Sequence, residues 1–462
     1  MDKLREECGI VAVSLKSNIE AAELAYFALN GLQHRGQQSA GVAVCNDGVM
    51  SCYKDMGLVT EVLDEKILTL LKGEMALGHV KYGPAKESFQ NYAQPLIINY
   101  KNGSLATAFN GALVNGNKLR ERMEDNGVIF STKSDCEVIA ALIARNDKND
   151  ITEAVKKTMQ EISGGYALCI MNQNCLIGAR DPHGIRPLAL GKLDGGYTLA
   201  SESCAFDMME GEFLRDVKPG EIVIIEGDKV SSNEELVPTG DDAAEKKAMC
   251  SFEYVYFARP DSTIDGLNVY DVRENAGRTL AVEHPVKADI VIGVPDSGTP
   301  AALGYSLGSG IPYRPGLIKN KYVGRIFIQP TTAQREIGIR IKLNPIDSVV
   351  KGKSVVLVDD SIVRGITMRK IITSLRSVGA KEVHLRISSP PIRNRCYFGV
   401  DTTDVKNFIA TSRPVEEIRQ ELDADSLAFI SLEGLIQSLG GPNCGSGYCT
   451  GCFSGEYPIE IE

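Results

Sequence analysis

Residues 355–367 read Val355-Val-Leu-Val-Asp-Asp-Ser-Ile-Val-Arg-Gly-Ile-Thr367. Four apolar residues, three of them valine, predict a parallel strand buried on both faces. Asp359 and Asp360 end that strand, and Ser361, Ile362, Val363, Arg364, Gly365, Ile366 and Thr367 form a short loop. From Met368 to Val378 the apolar residues Ile371, Ile372 and Leu375 recur at helical spacing. The unit is therefore strand, acidic pair, small polar loop, helix.

Backbone N–H groups at a helix start favour an anion, Gly365 allows close approach of the backbone, and two hydroxyls add donors. Two carboxylates repel a bare phosphate, so they suit ribose hydroxyls or Mg²⁺ beside a pyrophosphate. The Gly-x-x-x-x-Gly-Lys spacing of a Walker A loop is missing. The stretch resembles the phosphoribosyl pyrophosphate (PRPP) loop of type I phosphoribosyltransferases, which implies that residues 361–367 contact PRPP and that Asp359 and Asp360 lie near Mg²⁺.

The chain has 462 residues, enough for two or three domains, and its 43% hydrophobic and 24% charged residues are ordinary for a soluble globular protein. A net charge of −10 argues against nucleic acid as a partner. No apolar run reaches membrane-spanning length, and the charged start Met-Asp-Lys-Leu-Arg-Glu-Glu has no signal-peptide core, so a cytoplasmic enzyme is expected. Twelve cysteines in such a chain favour metal or catalytic roles over disulfides. Cys45, Cys52, Cys136, Cys169, Cys175 and Cys204 lack partner spacing and read as buried structural thiols.

Along the first half, Cys8-Gly-Ile-Val-Ala-Val starts a strand, Ala21 to Leu32 reads as helix, and further strands follow. Gly78-His-Val-Lys-Tyr82, Phe109-Asn-Gly-Ala112 and Ser134-Asp135 read as turns at strand ends. Many strands and few helical stretches predict stacked sheets covered by helices. Glu-Cys8-Gly-Ile, Leu-Gln-His-Arg35-Gly36-Gln, Gly-His-Val-x-Tyr, Asn110-Gly111 and Arg180-Asp-Pro-His-Gly-Ile-Arg-Pro187 occur in that order. Together they are similar to the glutaminase domain of the amidophosphoribosyltransferase family, an N-terminal-nucleophile hydrolase fold. The PRPP loop also lies where that family has it, so the resemblance covers nearly the whole chain.

The chemistry agrees. A primary amide is a poor electrophile, and a covalent thioester splits its hydrolysis into two easier steps. Removal of residues 1–7, read as a propeptide, would give Cys8 its own α-amine as base. The resemblance implies an oxyanion hole from the Asn110 side chain and the Gly111 N–H, and places Arg35, Gly36 and Asp135 around bound glutamine, Asp135 on its ammonium. The family has Arg in Gly-His-x-Arg-Tyr where this chain has Lys81, so a point charge replaces a fork at the α-carboxylate of glutamine.

A polar stretch from Asp228 to Lys247 reads as the domain junction. Beyond it strands and helices alternate, as in a doubly wound sheet. Ile290 to Pro295 is a strand, and Asp296-Ser-Gly-Thr299 opens a helix. By resemblance Ser297 joins Asp359 and Asp360 near Mg²⁺. The segment 319–342 carries Lys319, Lys321, Arg325, Arg335, Arg340 and Lys342. By resemblance it is a lid over PRPP, with Lys319, Tyr322 and Arg325 as pyrophosphate contacts.

The tail carries Cys444 and Cys449-Thr-Gly-Cys452, a spacing that suits zinc, redox chemistry or a cluster alike. The iron–sulfur branch of the family has four cysteines matching Cys250, Cys396, Cys449 and Cys452, which implies a [4Fe–4S] cluster, with zinc the alternative and Cys444 a bystander. The expected architecture is α/β: propeptide 1–7, a four-layer αββα glutaminase sandwich over 8–240, a type I phosphoribosyltransferase sheet over 250–430, and a cluster-bearing segment over 431–462. Implied with it are glutamine and PRPP as substrates, purine nucleotides as feedback inhibitors and a homotetramer. Two rival readings are an ammonia-dependent transferase whose glutaminase has decayed at Lys81, and a PRPP-sensing regulator. The latter needs a DNA-binding module, and no basic helix-turn-helix is visible.

Overall fold

The computed structural model describes residues 8–16, 21–82, 89–240, 246–320, 343–400, 402, 405–440 and 447–461. The expected propeptide, Cys444, and Lys321, Tyr322, Arg325, Arg335, Arg340 and Lys342 of the basic segment lie outside these residues.

The first half is built on two antiparallel sheets. One has the order β11 (Glu212–Asp216), β9 (Ala189–Leu193), β10 (Gly196–Ala200), β1 (Cys8–Leu15), β4 (Met75–Lys81), β2 (Ser39–Asn46), β3 (Val49–Met56). The other has the order β13 (Lys229–Asn233), β12 (Ile222–Glu226), β8 (Leu176–Arg180), β7 (Gly164–Met171), β6 (Gly103–Leu113), β5 (Leu96–Tyr100). All residues of β1 and of β7 are buried, because each strand is covered on both faces. Small side chains such as Ala12, Ala43, Ala106, Ala108 and Ala167 fill the space between the sheets. On the outer side of the first sheet, Val11, Val13 and Val42 meet the helix Ala21–Gly31. Outside the second, Phe109, Leu168 and Ile177 meet the helices Asp135–Asn146 and Ile151–Glu161. The result is the four-layer αββα sandwich.

Three readings of local structure change. Phe109 to Ala112 is not a turn but the interior of β6, and Gly78 to Lys81 lies inside β4. Gly111 has φ 139°, and a Cβ there would stand 2.0 Å from the Gly165 carbonyl oxygen on the paired strand β7, so the residue type that suggested a turn marks a backbone conformation inside the ladder that only glycine fits. Part of the polar stretch taken as linker is β13, an exposed edge strand hairpinned on β12.

The second half carries the parallel sheet β17 (Ile290–Gly293), β20 (Ser354–Asp359), β21 (Glu382–Ile387), β22 (Ser426–Phe429). Its residues alternate between two cores, as a period of two demands. Val356 and Val358 face the helices Val269–Glu283 and Thr299–Ser309, whereas Val355 and Leu357 face the helices Ile366–Ser377 and Val415–Leu422. Three small pairs complete it. β15 (Thr263–Ile264) and β16 (Leu267–Asn268) form a hairpin, and β18 (Leu317–Lys319) pairs with β19 (Leu343–Pro345). β14 (Met249–Cys250) runs parallel to β23 (Tyr448–Cys449), which sets Cys250 opposite Cys449.

Candidate active sites

Cys8 opens β1, is 2% exposed, and stands across the ladder from Lys81 at the end of β4. Gly36 lies against that same strand end: a Cβ on it would be 2.5 Å from the Lys81 nitrogen. Asp135, at the first turn of its helix, accepts from the Leu113 N–H at 2.9 Å. Burial pushes the Asp135 carboxyl up, while the charges of Lys81 and Arg120 pull it back. Lys81 and Asp135 thus offer opposite charges in one site, the pattern that fits the two ends of a free amino acid.

Asn110 is 0% exposed, and neither atom of its amide has a hydrogen-bond partner among the described residues. A buried amide left open in this way calls for a missing partner. His79 links β4 to β6 beside it, its Nε2–H donating to the Phe109 carbonyl oxygen at 3.2 Å. Burial, then the charge of Lys81, pushes His79 down to about 3, so the ring is neutral.

Arg35, expected beside glutamine, is held by carboxylates from both halves of the chain. Its Nη2 donates to Glu253 Oε2 at 2.7 Å and its Nε donates to Glu202. Glu202 also takes the Ser262 hydroxyl at 2.6 Å and the Arg259 N–H at 2.8 Å. Burial alone would raise Glu202, but Arg35 and His34 outweigh it and hold it low. Glu253 also accepts from Arg186 Nη1 at 3.3 Å, and Arg186 binds the Phe398 carbonyl through Nε at 2.9 Å and Nη2 at 2.7 Å. Arg180 likewise crosses the junction to Asp265 at 2.8 Å.

In the second half, Asp359, Asp360 and Ser361 are buried at the carboxyl end of β20. The Ser361 hydroxyl donates to Asp360 Oδ1 at 2.7 Å, and the Asp360 N–H donates to Asp359 Oδ1 at 3.0 Å. Gly365, at φ 79°, turns the chain into the helix Ile366–Ser377. Ile362 and Val363 point into the core, while Arg364 and Ile366 are exposed and Thr367 is half-buried. The second polar turn abuts the first: a Cβ on Gly298 would lie 3.0 Å from the Asp359 Cα. Ser297 in that turn is half-buried, and the neighbouring Asp296 pairs with Lys319.

Cys250, Cys396, Cys449 and Cys452 line one cavity with Ile185, Arg186, Phe252 and Tyr457. No three His, Cys, Asp or Glu side chains among the described residues are grouped to hold one metal ion. No disulfide joins the cysteines among the described residues. Cys45, Cys136, Cys169, Cys175 and Cys204 are buried, whereas Cys52, expected to be buried, is only half-buried: it faces the core, but on the edge strand β3, which is paired on one side only.

Glu202, Glu253, Arg186 and Gly399 did not stand out in the sequence. Arg186 lay in a motif without a role, and nothing local joins it to Phe398, 212 residues away.

A glutamine amidotransferase domain model matches residues 85–208, and a phosphoribosyl transferase domain model matches residues 269–409. Amidophosphoribosyltransferase of Bacillus subtilis is 46% identical over 99% of this chain and 95% of its own length. That of Archaeoglobus fulgidus is 45% identical over 98% of both. A solved structure described as the allosteric regulatory enzyme of purine biosynthesis aligns over 98% of this chain and 97% of its own, at 45% identity and a TM-score of 0.91. Glutamine PRPP amidotransferase from B. subtilis complexed with ADP and GMP aligns over 98% of both chains, at 46% identity and a TM-score of 0.90.

Proposed function

Because the chain belongs to the amidophosphoribosyltransferase family, we propose how its residues divide the reaction that makes 5-phosphoribosylamine, glutamate and pyrophosphate from glutamine and PRPP, the first step of purine biosynthesis. The observation that carries the reading is Asn110, wholly buried with both amide atoms open. A substrate oxyanion would be its partner.

The first half hydrolyses glutamine. Once residues 1–7 are removed, the α-amine of Cys8 takes the thiol proton and the sulfur attacks the side-chain carbonyl of glutamine. The Asn110 amide and the Gly111 N–H stabilise the oxyanion, ammonia leaves, and water cleaves the thioester to glutamate. Lys81 holds the α-carboxylate and Asp135 the ammonium, with Arg35 and Gly36 shaping the pocket; the opposed charges of Lys81 and Asp135 support this. Ammonia then passes internally to C1 of PRPP, which releases pyrophosphate.

PRPP is bound by residues 361–367, with Lys319, Tyr322 and Arg325 on the pyrophosphate. The buried acids Asp359 and Asp360, with Ser297 on the abutting turn, suit Mg²⁺ that takes its remaining ligands from substrate and water. When bound, Mg²⁺ would offset charge on the leaving pyrophosphate. Excluding water matters here, since the activated sugar would otherwise hydrolyse.

The four cysteines round one cavity suit a [4Fe–4S] cluster. Zinc is the alternative occupant of four thiolates. A cluster there would tie the tail, through Cys449 and Cys452, to Cys250 and Cys396. Purine nucleotides as inhibitors, a homotetramer and a cytoplasmic site complete the proposal; no helix among the described residues is long and apolar enough to cross a membrane.

One comparison tests the division. Cys8→Ala should lose glutamine-dependent product and keep ammonia-dependent product, and intact mass should show the wild-type chain beginning at Cys8. Asp359→Asn with Asp360→Asn should lose both routes. Glutamine hydrolysis by Cys8→Ala, or PRPP turnover by the double variant, would sink the corresponding half.

A further inference from the structure

Gly399 belongs to the second half but packs on the first. A Cβ on Gly399 would lie 2.8 Å from the Gly111 Cα and 2.9 Å from Arg186 Nη2. Its φ of 108° independently favours glycine. Gly111 in turn rests on Gly165, and a Cβ on Gly165 would lie 2.9 Å from the Phe398 Cβ. Three backbone segments from two domains therefore cross where no side chain fits. Arg186, fully buried, fixes the third by its two bonds to the Phe398 carbonyl, and is itself braced on Glu253.

We propose that Gly399 is a positioning residue for amide hydrolysis: the transferase half holds Gly111, and with it the oxyanion donor, in place through this backbone contact. The proposal rests on the reading of Asn110 and Gly111 as the oxyanion hole. An oxyanion donor works only at hydrogen-bond distance from where charge develops, so a methyl group pressed on the Gly111 Cα displaces it at the cost of transition-state binding. Glutamine in its ground state does not need that donor, so kcat should fall with KM little changed. The nearest atoms to a Gly399 Cβ belong to Gly111 and Arg186, not to the PRPP loop, so ammonia-dependent transfer should persist.

The test is Gly399→Ala, with Gly379→Ala as control. Gly379 has a comparable φ of 91°, but a Cβ there meets only Lys351 Cγ, at 3.3 Å. Gly399→Ala is expected to lower the glutamine-dependent kcat by about 10-fold or more, with ammonia-dependent turnover and KM for glutamine unchanged. The control should change neither activity. Should Gly399→Ala fail to fold, Arg186→Lys replaces it: the charge stays, the two-bond grip on Phe398 goes, and the same split is expected. An unchanged glutamine kcat, or an equal fall of both activities as a merely structural role would give, overturns the proposal. Asn110→Ala run alongside separates the two claims. If it still hydrolyses glutamine, the oxyanion-hole reading fails and takes this inference with it. If it does not, while Gly399→Ala and Arg186→Lys do so normally, only this inference fails.

Discussion

Arg35 of the glutaminase half donates to Glu253 of the transferase half at 2.7 Å, and both side chains are fully buried. The pair welds the domains beside the pocket proposed for glutamine, since Gly36 next in sequence packs on Lys81. Glu253→Gln keeps the shape and removes the charge. Because Glu202 still serves Arg35, the cost should be about 2 kcal/mol, below that of stranding a buried charge outright. Urea unfolding measures it, and an unchanged midpoint would show that the pair contributes nothing.

Lys81 presents a charge to the pocket that also faces Asp135. Lys81→Ala should raise KM for glutamine and leave ammonia-dependent transfer alone. Lys81→Arg should lower that KM, because a fork makes two charge-assisted bonds to a carboxylate. Glutamine kinetics indifferent to both would remove Lys81 from the carboxylate.

The cysteine cavity makes a claim about composition. Protein isolated without oxygen should be brown and hold about four irons per chain. Cys449→Ser should lower stability more than it alters kinetics of the folded fraction, because Cys449 anchors the tail strand. Stoichiometric zinc without iron would reject the cluster.

His79 gives a pH test with a defined sign. Its ordinary value of 6.5 falls to about 3 in the fold, so below 6.5 the unfolded chain takes up a proton that the folded chain refuses. Its contribution is complete above 6.5 and is lost as pH falls toward 3. Each pH unit in that window costs up to about 1.4 kcal/mol. His79→Asn should therefore lose less stability than wild type between neutral and mildly acid pH, read as the difference of two unfolding series. Parallel series would mean that His79 titrates normally.

Local chemistry was legible in the sequence, and long-range geometry was not. The strand, acidic pair and helix at 354–377 follow from a period change that any packed sheet imposes, and the structure places them there. The tail cysteines and Cys250 were matched by resemblance, and the fold gathers them round one cavity. Asn110 and Gly111 were singled out but assigned to a turn, where the fold has the interior of β6. Gly and Asn signal turns in general, whereas here glycine answers to a positive φ inside a strand, pressed against its ladder neighbour. The Arg35–Glu253 contact joins residues 218 apart, and no periodicity carries such pairing. Only the packing of two domains creates it.

The contact between Arg186 and the Phe398 carbonyl also sets an order of events during synthesis. Ribosomes deliver the second partner 212 residues after the first, roughly 10–40 s later at ordinary elongation rates. Through that interval the nascent glutaminase half has its cysteine, its strands and its helices, but not the brace beneath Gly111. On the proposal above, a half-made chain would cleave amides slowly, and its full rate of ammonia release would wait for the sugar-binding half that receives it.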